Sequence, residues 1–284
     1  MTDRLFLAWY PALTFALLTH PHPLASYAGF FVLHLIIIAV ILYLAACSSL
    51  GRWWRFAHDW YPMLVFIAAF EETARLSLAF VPRWQDALIL RAEAVFFTVP
   101  PSVWLSRIHE FWFVELLEFG YFTFYWIMFV VGGVLYGGIW NAKSPTEAGD
   151  PRQPFRIWMD ATVLGYIACY IVFLAFPTEG PAHTLPRHLS TGFTGPFHWL
   201  VQLIQHHAGV HGNAFPSGHI MASTVALLAA ARWKPRLARW LAVPVLLMCV
   251  GAVYDGYHYA ADIIAGALLG ATAFWKLCPF SRVA

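Results

Sequence analysis

Long apolar segments alternate with short polar ones along almost the whole chain. Most of the long segments approach the roughly 20 residues that a helix needs to cross the hydrocarbon core of a bilayer. We place about seven spans, near residues 27–47, 60–81, 113–138, 157–176, 217–232, 238–256 and 259–278. The chain is therefore predicted to be all-α, a polytopic transmembrane helix bundle.

Two further apolar segments lack the pattern of spans. Leu5–Leu18 is short and is not followed by a small-residue cleavage signal, so we expect an interfacial or re-entrant helix rather than a signal peptide. Segment 84–110 interleaves Asp86, Arg91 and Glu93 with apolar residues. It predicts an amphipathic helix on the outer membrane surface, with a hairpin under the bundle as the alternative.

The composition supports a membrane protein. Hydrophobic residues make up 60% of the chain and charged residues 11%, whereas a soluble domain carries about 25% charged residues. The net charge of +2 and the lack of a basic tract argue against a nucleic-acid partner. By predicted role, residues 1–110 form the N-terminal spans with the amphipathic helix, and residues 111–284 form the catalytic transmembrane core.

Charge in the loops predicts the orientation. Lys and Arg are concentrated after the first, third and fifth predicted spans and at the C-terminal end. Such residues mark cytoplasmic loops, so loop 177–216 and His258 fall on the other side. We predict an integral membrane protein, in the cytoplasmic membrane if the cell is bacterial, with its active site on the extracytoplasmic face.

The motif Pro216-Ser217-Gly218-His219 opens the fifth predicted span. Serine is a favoured helix N-cap, and the free amides of a helix N-terminus attract anions. Gly218 would let phosphate oxygens approach the backbone, and His219 would stand beside them in the first turn. Plain capping is the alternative for this motif.

His258 and Asp262 stand four residues apart at the start of the last predicted span, and therefore on one helix face. A carboxylate beside an imidazole fixes its tautomer and makes the other ring nitrogen a better nucleophile or base. A structural pair and a metal site are the alternatives.

These two motifs together resemble the type 2 phosphatidic acid phosphatase superfamily, over roughly residues 157–278. The region from Asp86 to Tyr125 is similar to the inositol phosphorylceramide synthase-like branch of that superfamily. The resemblance implies a six-helix phosphatase-type core, preceded by an N-terminal helix, that works with no metal or other cofactor.

The resemblance also implies a role for each motif residue. His258 would be the nucleophile that forms a phosphohistidine, and Asp262 would orient it. His219 would be the general acid for the leaving group and then the general base for the acceptor. Phosphate oxygens would be held by Pro216, Ser217 and Gly218.

The chain departs from the family pattern where that pattern has phosphate-binding cations. Gly251 and Ala252 replace its serine and arginine, and the proline-rich segment 176–183 replaces its first basic motif. The candidates for the missing positive charge are His183, Arg187 and His211, each with a solvated loop as the alternative. Because a phosphodiester carries less charge than a phosphomonoester, fewer cations favour head-group transfer or diester cleavage.

The leading hypothesis is a membrane-embedded lipid phosphatase or phosphotransferase. Its substrate would be a lipid phosphate or a phospholipid head group, and its acceptor either water or an alcohol. A non-catalytic transporter or scaffold that retains the fold is the first alternative. A haem or metal protein built on the many histidines is the second.

Overall fold

The computed structural model describes residues 1–21, 23–141, 150–186 and 195–279. All regular elements in those ranges are helices, and the one extended pairing there is an isolated bridge between Thr178 and Asn213. The all-α fold class is therefore confirmed. Two compact units, Met1–Glu72 and Thr73–Ala284, make up the chain. Their boundary falls earlier than residue 110, and the division by role stays a prediction.

The first unit consists of the helices that precede α4 and of the first part of α4 itself. They are α1 (Thr2–Leu18), a short 3-10 helix (Leu24–Tyr27), α2 (Ala28–Cys47), α3 (Arg52–Trp60) and the first part of α4 (Pro62–Phe80). A buried imidazole ties these helices together: His34 of α2 bonds Thr14 of α1 at 2.6 Å and Glu72 of α4.

The second unit contains the remaining helices. They are α5 (Asp86–Glu93), α6 (Pro101–Leu105), α7 (Phe111–Phe122), α8 (Phe124–Asn141), α9 (Gln153–Ala175), α10 (Pro181–Thr184), α11 (Pro196–Ala208), α12 (Gly218–Trp233), α13 (Pro235–Tyr254) and α14 (Ala260–Leu277). Helix α12 packs against α8, α9, α13 and α14, and α7 packs against α13. The small residues Ala222, Ser223 and Ala226 on α12 are fully buried, as their size predicts for a helix in the interior of a bundle.

Fewer helices than predicted have the length and hydropathy of spans. Within the described ranges they are Leu24–Cys47, Gln153–Ala175, Pro235–Tyr254 and Ala260–Leu277. Helix α4 carries charged residues, and α12 has only 16 residues, so neither reaches that standard. Because α12 is enclosed by other helices, it needs less apolar surface than a helix that faces lipid.

The predicted span 113–138 is two helices, α7 and α8, bent by 43°. At the break, the Thr123 hydroxyl donates to the Gly120 carbonyl at 2.6 Å. If this pair crosses the membrane as one span, the number of spans rises to five.

Helices α12 and α14 approach each other through two glycines of α14. A Cβ on Gly266 would lie 2.5 Å from the Ser217 carbonyl oxygen, and one on Gly270 would collide with the Met221 carbonyl oxygen. This four-residue glycine spacing lets helix backbones approach closely in membranes. It places the start of α14 beside the start of α12.

We expect Gly266→Ala to destabilise the protein by about 1–3 kcal/mol, because the added methyl group must push α14 away from the Ser217 backbone. Gly133→Ala is the matched control, since a Cβ at Gly133 of α8 meets nothing within 4 Å. Thermal unfolding followed by tryptophan fluorescence should show a lower midpoint for Gly266→Ala alone. Equal midpoints for the two variants would contradict this packing.

Segment 84–110 forms α5 and α6, and α5 is amphipathic as predicted, but its polar face points inward. Asp86 and Glu93 are buried, while Leu88 and Phe96 are exposed. Both carboxylates accept hydrogen bonds from backbone amides, and these bonds offset the free-energy cost of burying the charge.

Candidate active site

Helix α12 begins at the predicted motif. Ser217 is the N-cap, and its Oγ accepts a hydrogen bond from the Ile220 amide at 3.4 Å, as the motif predicts. The preceding peptide bond, between Phe215 and Pro216, is cis. Among the described residues the Gly218 amide has no hydrogen-bond partner. That amide is therefore available to a bound anion.

His258 lies in the short turn between α13 and α14 and is 4% exposed. Its Nδ1 is 2.9 Å from the Ala214 carbonyl oxygen and 3.4 Å from Asp262 Oδ2. Both neighbours are acceptors, so the ring proton belongs on Nδ1 and Nε2 carries a lone pair. The Ser217 hydroxyl donates to Nε2 at 3.0 Å. The two predicted motifs therefore meet at one point.

Asp262 is fully buried and makes a second contact in addition to the one with His258. Its Oδ2 accepts the Tyr259 amide at 2.8 Å, which completes the N-terminal cap of α14. This bond is shorter than the contact with His258. The Ala214 carbonyl oxygen, at 2.9 Å, is closer to His258 Nδ1 than Asp262 is, at 3.4 Å. The motif spacing does not predict this contact.

Burial lowers the pKa of His258 to about 4, although its hydrogen bond to Ala214 acts in the opposite direction. The ring is therefore neutral at physiological pH. A neutral imidazole with a free Nε2 lone pair is the form that can act as a nucleophile.

His219 faces His258 across a gap, with 6.1 Å between the ring centroids. An aromatic wall fixes the orientation of His219. The Phe124 ring packs edge-on against the His219 ring, with 4.3 Å between the ring centroids, and the centroid of the Tyr121 ring is 5.7 Å from that of His219. Both aromatic residues stand at the bend between α7 and α8. An unbroken span would have placed them differently.

The proline-rich segment that replaces the first basic motif lies against both histidine motifs. Thr178 Oγ1 accepts the Phe215 amide at 2.8 Å, next to the α12 cap. The Ala182 amide donates to the Gly256 carbonyl at 2.9 Å, next to His258. Gly180 adopts a φ of 95°, and a Cβ there would lie 2.8 Å from the Tyr257 carbonyl oxygen. Only glycine fits this point without strain.

Two of the predicted replacement cations, His183 and His211, lie against each other and beside Glu179. The rings of His183 and His211 are 4.1 Å apart, and His211 Nδ1 is 3.4 Å from Glu179. Partial burial and the neighbouring His211 lower the pKa of His183, which weakens it as a cation. Arg187 lies outside the described residues. Phosphate binding by these three residues stays a prediction.

The structure gives a packing reason for the missing serine and arginine. A Cβ on Gly251 would lie 2.8 Å from the Leu117 carbonyl oxygen of α7. Ala252 is fully buried, and its carbonyl accepts the His258 amide at 3.0 Å. Helix α7 therefore leaves no space for a side chain at position 251.

Two glutamates of α7 hold α11 next to this site, and neither was predicted to do so from the sequence. Glu115 accepts the Phe197 and His198 amides at 3.0 and 2.9 Å, and Glu118 accepts His198 Nδ1 at 2.8 Å. Farther along α11, Gln205 donates to the Tyr121 hydroxyl at 3.2 Å. The sequence signal was present, since two carboxylates three residues apart in an apolar run require partners.

Within the described residues, no three His, Cys, Asp or Glu side chains are grouped as metal ligands. Independence from metals stays a prediction.

Comparison with known proteins gives a family likeness for the C-terminal part. Residues 161–282 match the PAP2 superfamily, a stretch that begins in α9 and holds both histidine motifs. Over 199 residues the chain is 22% identical to a PA-phosphatase related-family protein of Dictyostelium discoideum, covering 65% of this chain and 34% of that relative. The chain thus spans about a third of that relative's length. No solved structure matches the chain.

The superfamily part of the predicted resemblance is therefore supported for residues 161–282. The assignment to the inositol phosphorylceramide synthase-like branch stays a prediction.

Proposed function

We propose that this integral membrane protein is a lipid phosphatase or phosphotransferase that works through a phosphohistidine at His258. The observation that carries the proposal is the geometry at Nε2. This atom has a lone pair, lies 3.0 Å from Ser217 Oγ and faces His219 across a ring separation of 6.1 Å. In-line transfer needs reacting atoms about 3–3.5 Å apart, and rings whose centroids are 6.1 Å apart are close enough to act on one phosphoryl group.

In the first step, Nε2 of His258 attacks phosphorus, and the bond from phosphorus to the leaving oxygen breaks. His219, which takes up a proton once the phosphate is bound beside it, gives that proton to the leaving oxygen, so the leaving group departs as a neutral alcohol. The Ser217 hydroxyl turns from Nε2 to a phosphoryl oxygen, and the Gly218 amide binds another. Donors fixed before the reaction stabilise the charge that develops on these oxygens.

In the second step, the now neutral His219 takes a proton from the acceptor, either water or an alcohol. The acceptor oxygen attacks phosphorus, the phosphorus–Nε2 bond breaks, and His258 regains its lone pair. The positive charge that the imidazole carries as phosphohistidine forms is stabilised by the Ala214 carbonyl and Asp262, at 2.9 and 3.4 Å from Nδ1.

The packing around Gly251 and Ala252 favours a phosphodiester substrate. A phosphomonoester dianion needs more fixed positive charge in its transition state than a diester does. At the position of the family's serine, Gly251 is closed off by α7, and at the position of its arginine stands the neutral, fully buried Ala252. Head-group transfer or diester cleavage is therefore the form of the reaction that we propose.

A panel of radiolabelled lipids tests this proposal with the full-length protein in lipid nanodiscs. Phosphatidic acid supplies the monoester, and phosphatidylinositol, phosphatidylethanolamine and phosphatidylcholine supply diesters, each with and without an added lipid alcohol. We expect the best diester to exceed phosphatidic acid in kcat/KM by at least about 10-fold, since one missing charge-stabilising donor costs about 10²–10³ in kcat.

Faster hydrolysis of phosphatidic acid would overturn the diester preference and leave a phosphatase. Turnover of none of these lipids would favour the non-catalytic transporter or scaffold.

A further inference from the structure

The inward carboxylates of α5 are nearly inaccessible to solvent, with 4% of Asp86 and 3% of Glu93 exposed. Burying a carboxylate is costly unless it is hydrogen-bonded. Asp86, Ile89 and Glu93 are three, four and seven positions apart, so they lie on one face of α5. All three can therefore contact the same neighbouring elements. Here the face contacts α14 and the segments beside it.

Glu93 binds the first turn of α14. Its Oε1 accepts the Ala261 amide at 3.1 Å, and the Ala260 amide also donates to this carboxylate. The first amides of a helix have no partner within the helix. In α14 they are held by two carboxylates: Asp262 takes the Tyr259 amide, and Glu93 takes the next ones.

Asp86 joins the proline-rich segment to the residue that follows His258. Its oxygens accept the Glu179 amide at 3.1 Å and the Gly180 amide at 2.9 Å. The Tyr259 hydroxyl donates to Asp86 Oδ1 at 2.9 Å and lies 2.6 Å from Thr184 Oγ1. One buried carboxylate thus fixes both sides of the proposed phosphoryl site.

We propose that Asp86 and Glu93 are positioning residues for phosphoryl transfer. They hold Tyr259 and the first turn of α14, and through them they keep Nε2 of His258 aimed at the phosphoryl group. Neither carboxylate is hydrogen-bonded to His258 or Asp262 in the described part of the chain, so their action is indirect. This inference rests on the proposed function, because it concerns the same site.

A cap that only stabilises α14 would behave differently from a positioning residue. Loss of a simple cap lowers thermal stability and leaves kcat of the folded enzyme unchanged. Loss of positioning lowers kcat in the folded enzyme, while KM changes little because the lipid still binds. A misplacement of about 1 Å by a distant mutation can cost about 10²-fold in rate.

The test compares alanine and amide variants of the full-length protein in nanodiscs. Glu93→Gln keeps an oxygen that can accept the Ala261 amide, and Glu93→Ala does not. Asp86→Ala removes the carboxylate that accepts from the Glu179 and Gly180 amides and from the Tyr259 hydroxyl. Glu110→Ala is the matched control, because this carboxylate is exposed and makes no capping bond at the start of α7.

We expect Asp86→Ala and Glu93→Ala to lower kcat about 10²-fold, with KM within about threefold of wild type. Glu93→Gln should recover most of the loss, and Glu110→Ala should match wild type. Hydrogen–deuterium exchange should rise in the peptide that holds residues 259–263 and stay unchanged in α9, which shows that the bundle remains folded.

Full kcat in both alanine variants, with raised exchange at residues 259–263, would overturn the inference and leave Asp86 and Glu93 as helix caps. Equal losses in Glu93→Gln and Glu93→Ala would overturn it as well. If wild type transfers no phosphoryl group from any lipid of the panel, the proposed function itself fails. A working wild type beside fully active alanine variants means that only the positioning inference fails.

Discussion

Replacing His258 by alanine is expected to abolish transfer, with a fall of about 10³-fold or more in kcat, because alanine has no nucleophile to take the place of Nε2. The test uses a lipid labelled at phosphorus and stops turnover with a denaturant that contains no acid. The wild-type protein should then carry a covalent label. Acid should release this label, and base should not. His258→Ala should carry none.

His206→Ala is the matched control, since His206 lies exposed on α11 beside His207. Thermal unfolding of His258→Ala checks that the fold survives the loss of the bonds to Ser217 and Ala214. Full activity or persistent label in a folded His258→Ala protein would falsify the phosphohistidine mechanism.

The pH dependence of the wild-type enzyme follows from the buried state of His258. Its pKa lies near 4 in the folded protein, below its ordinary value of 6.5, because burial disfavours the charged ring. The nucleophilic form therefore persists well below pH 6.5. With a diester lipid, whose phosphate does not titrate in this range, kcat/KM should lose no activity through His258 until the pH approaches 4.

The same shift has a consequence for stability. The unfolded chain takes up a proton at His258 below about pH 6.5, while the folded chain does not. Stability from this residue is therefore complete above pH 6.5 and falls as the pH moves from 6.5 towards 4. An acid limb of kcat/KM at pH 6.5, with stability unchanged, would contradict a buried neutral His258.

The sequence predicted the parts of the site that depend on local spacing. Ser217 caps α12 because serine at a helix start does so by its own chemistry. His258 lies 3.4 Å from Asp262, as their spacing predicts, although His258 is in the turn before α14 and not on its helical face. That the two motifs would meet followed from their expected placement on one side of the membrane. The structure brings His258 Nε2 to 3.0 Å from Ser217 Oγ.

Features that depend on which face of a helix is buried could not be predicted in this way. The pattern of α5 gave an amphipathic helix, but periodicity alone does not say whether the polar face meets water or the backbone amides of another helix. The Ala214 carbonyl beside His258 has no sequence signal, because every residue carries one. The bend after Phe122 was missed because the apolar run continues through it.

Replacing His219 by alanine is expected to slow transfer from a natural lipid by about 10²–10⁴-fold, the usual contribution of a general acid or base. The ring stands 6.1 Å from the His258 ring and is held by Phe124. The nucleophile itself remains intact in this variant. Some phosphohistidine should therefore still form, only slowly, and a time course of covalent labelling measures its rate.

A substrate with a good leaving group separates the role of His219 from that of His258. A lipid-like diester of p-nitrophenol releases a stable phenolate that needs no proton, so His219→Ala should form phosphohistidine from it at nearly the wild-type rate. His258→Ala should remain inactive with the same compound. The second step still needs a base, so His219→Ala should release one burst of nitrophenol per protein and then turn over slowly. If His219→Ala is as slow with the activated diester as with the natural lipid, His219 is not the acid, and its part in the site is to shape the pocket beside Phe124 and Tyr121.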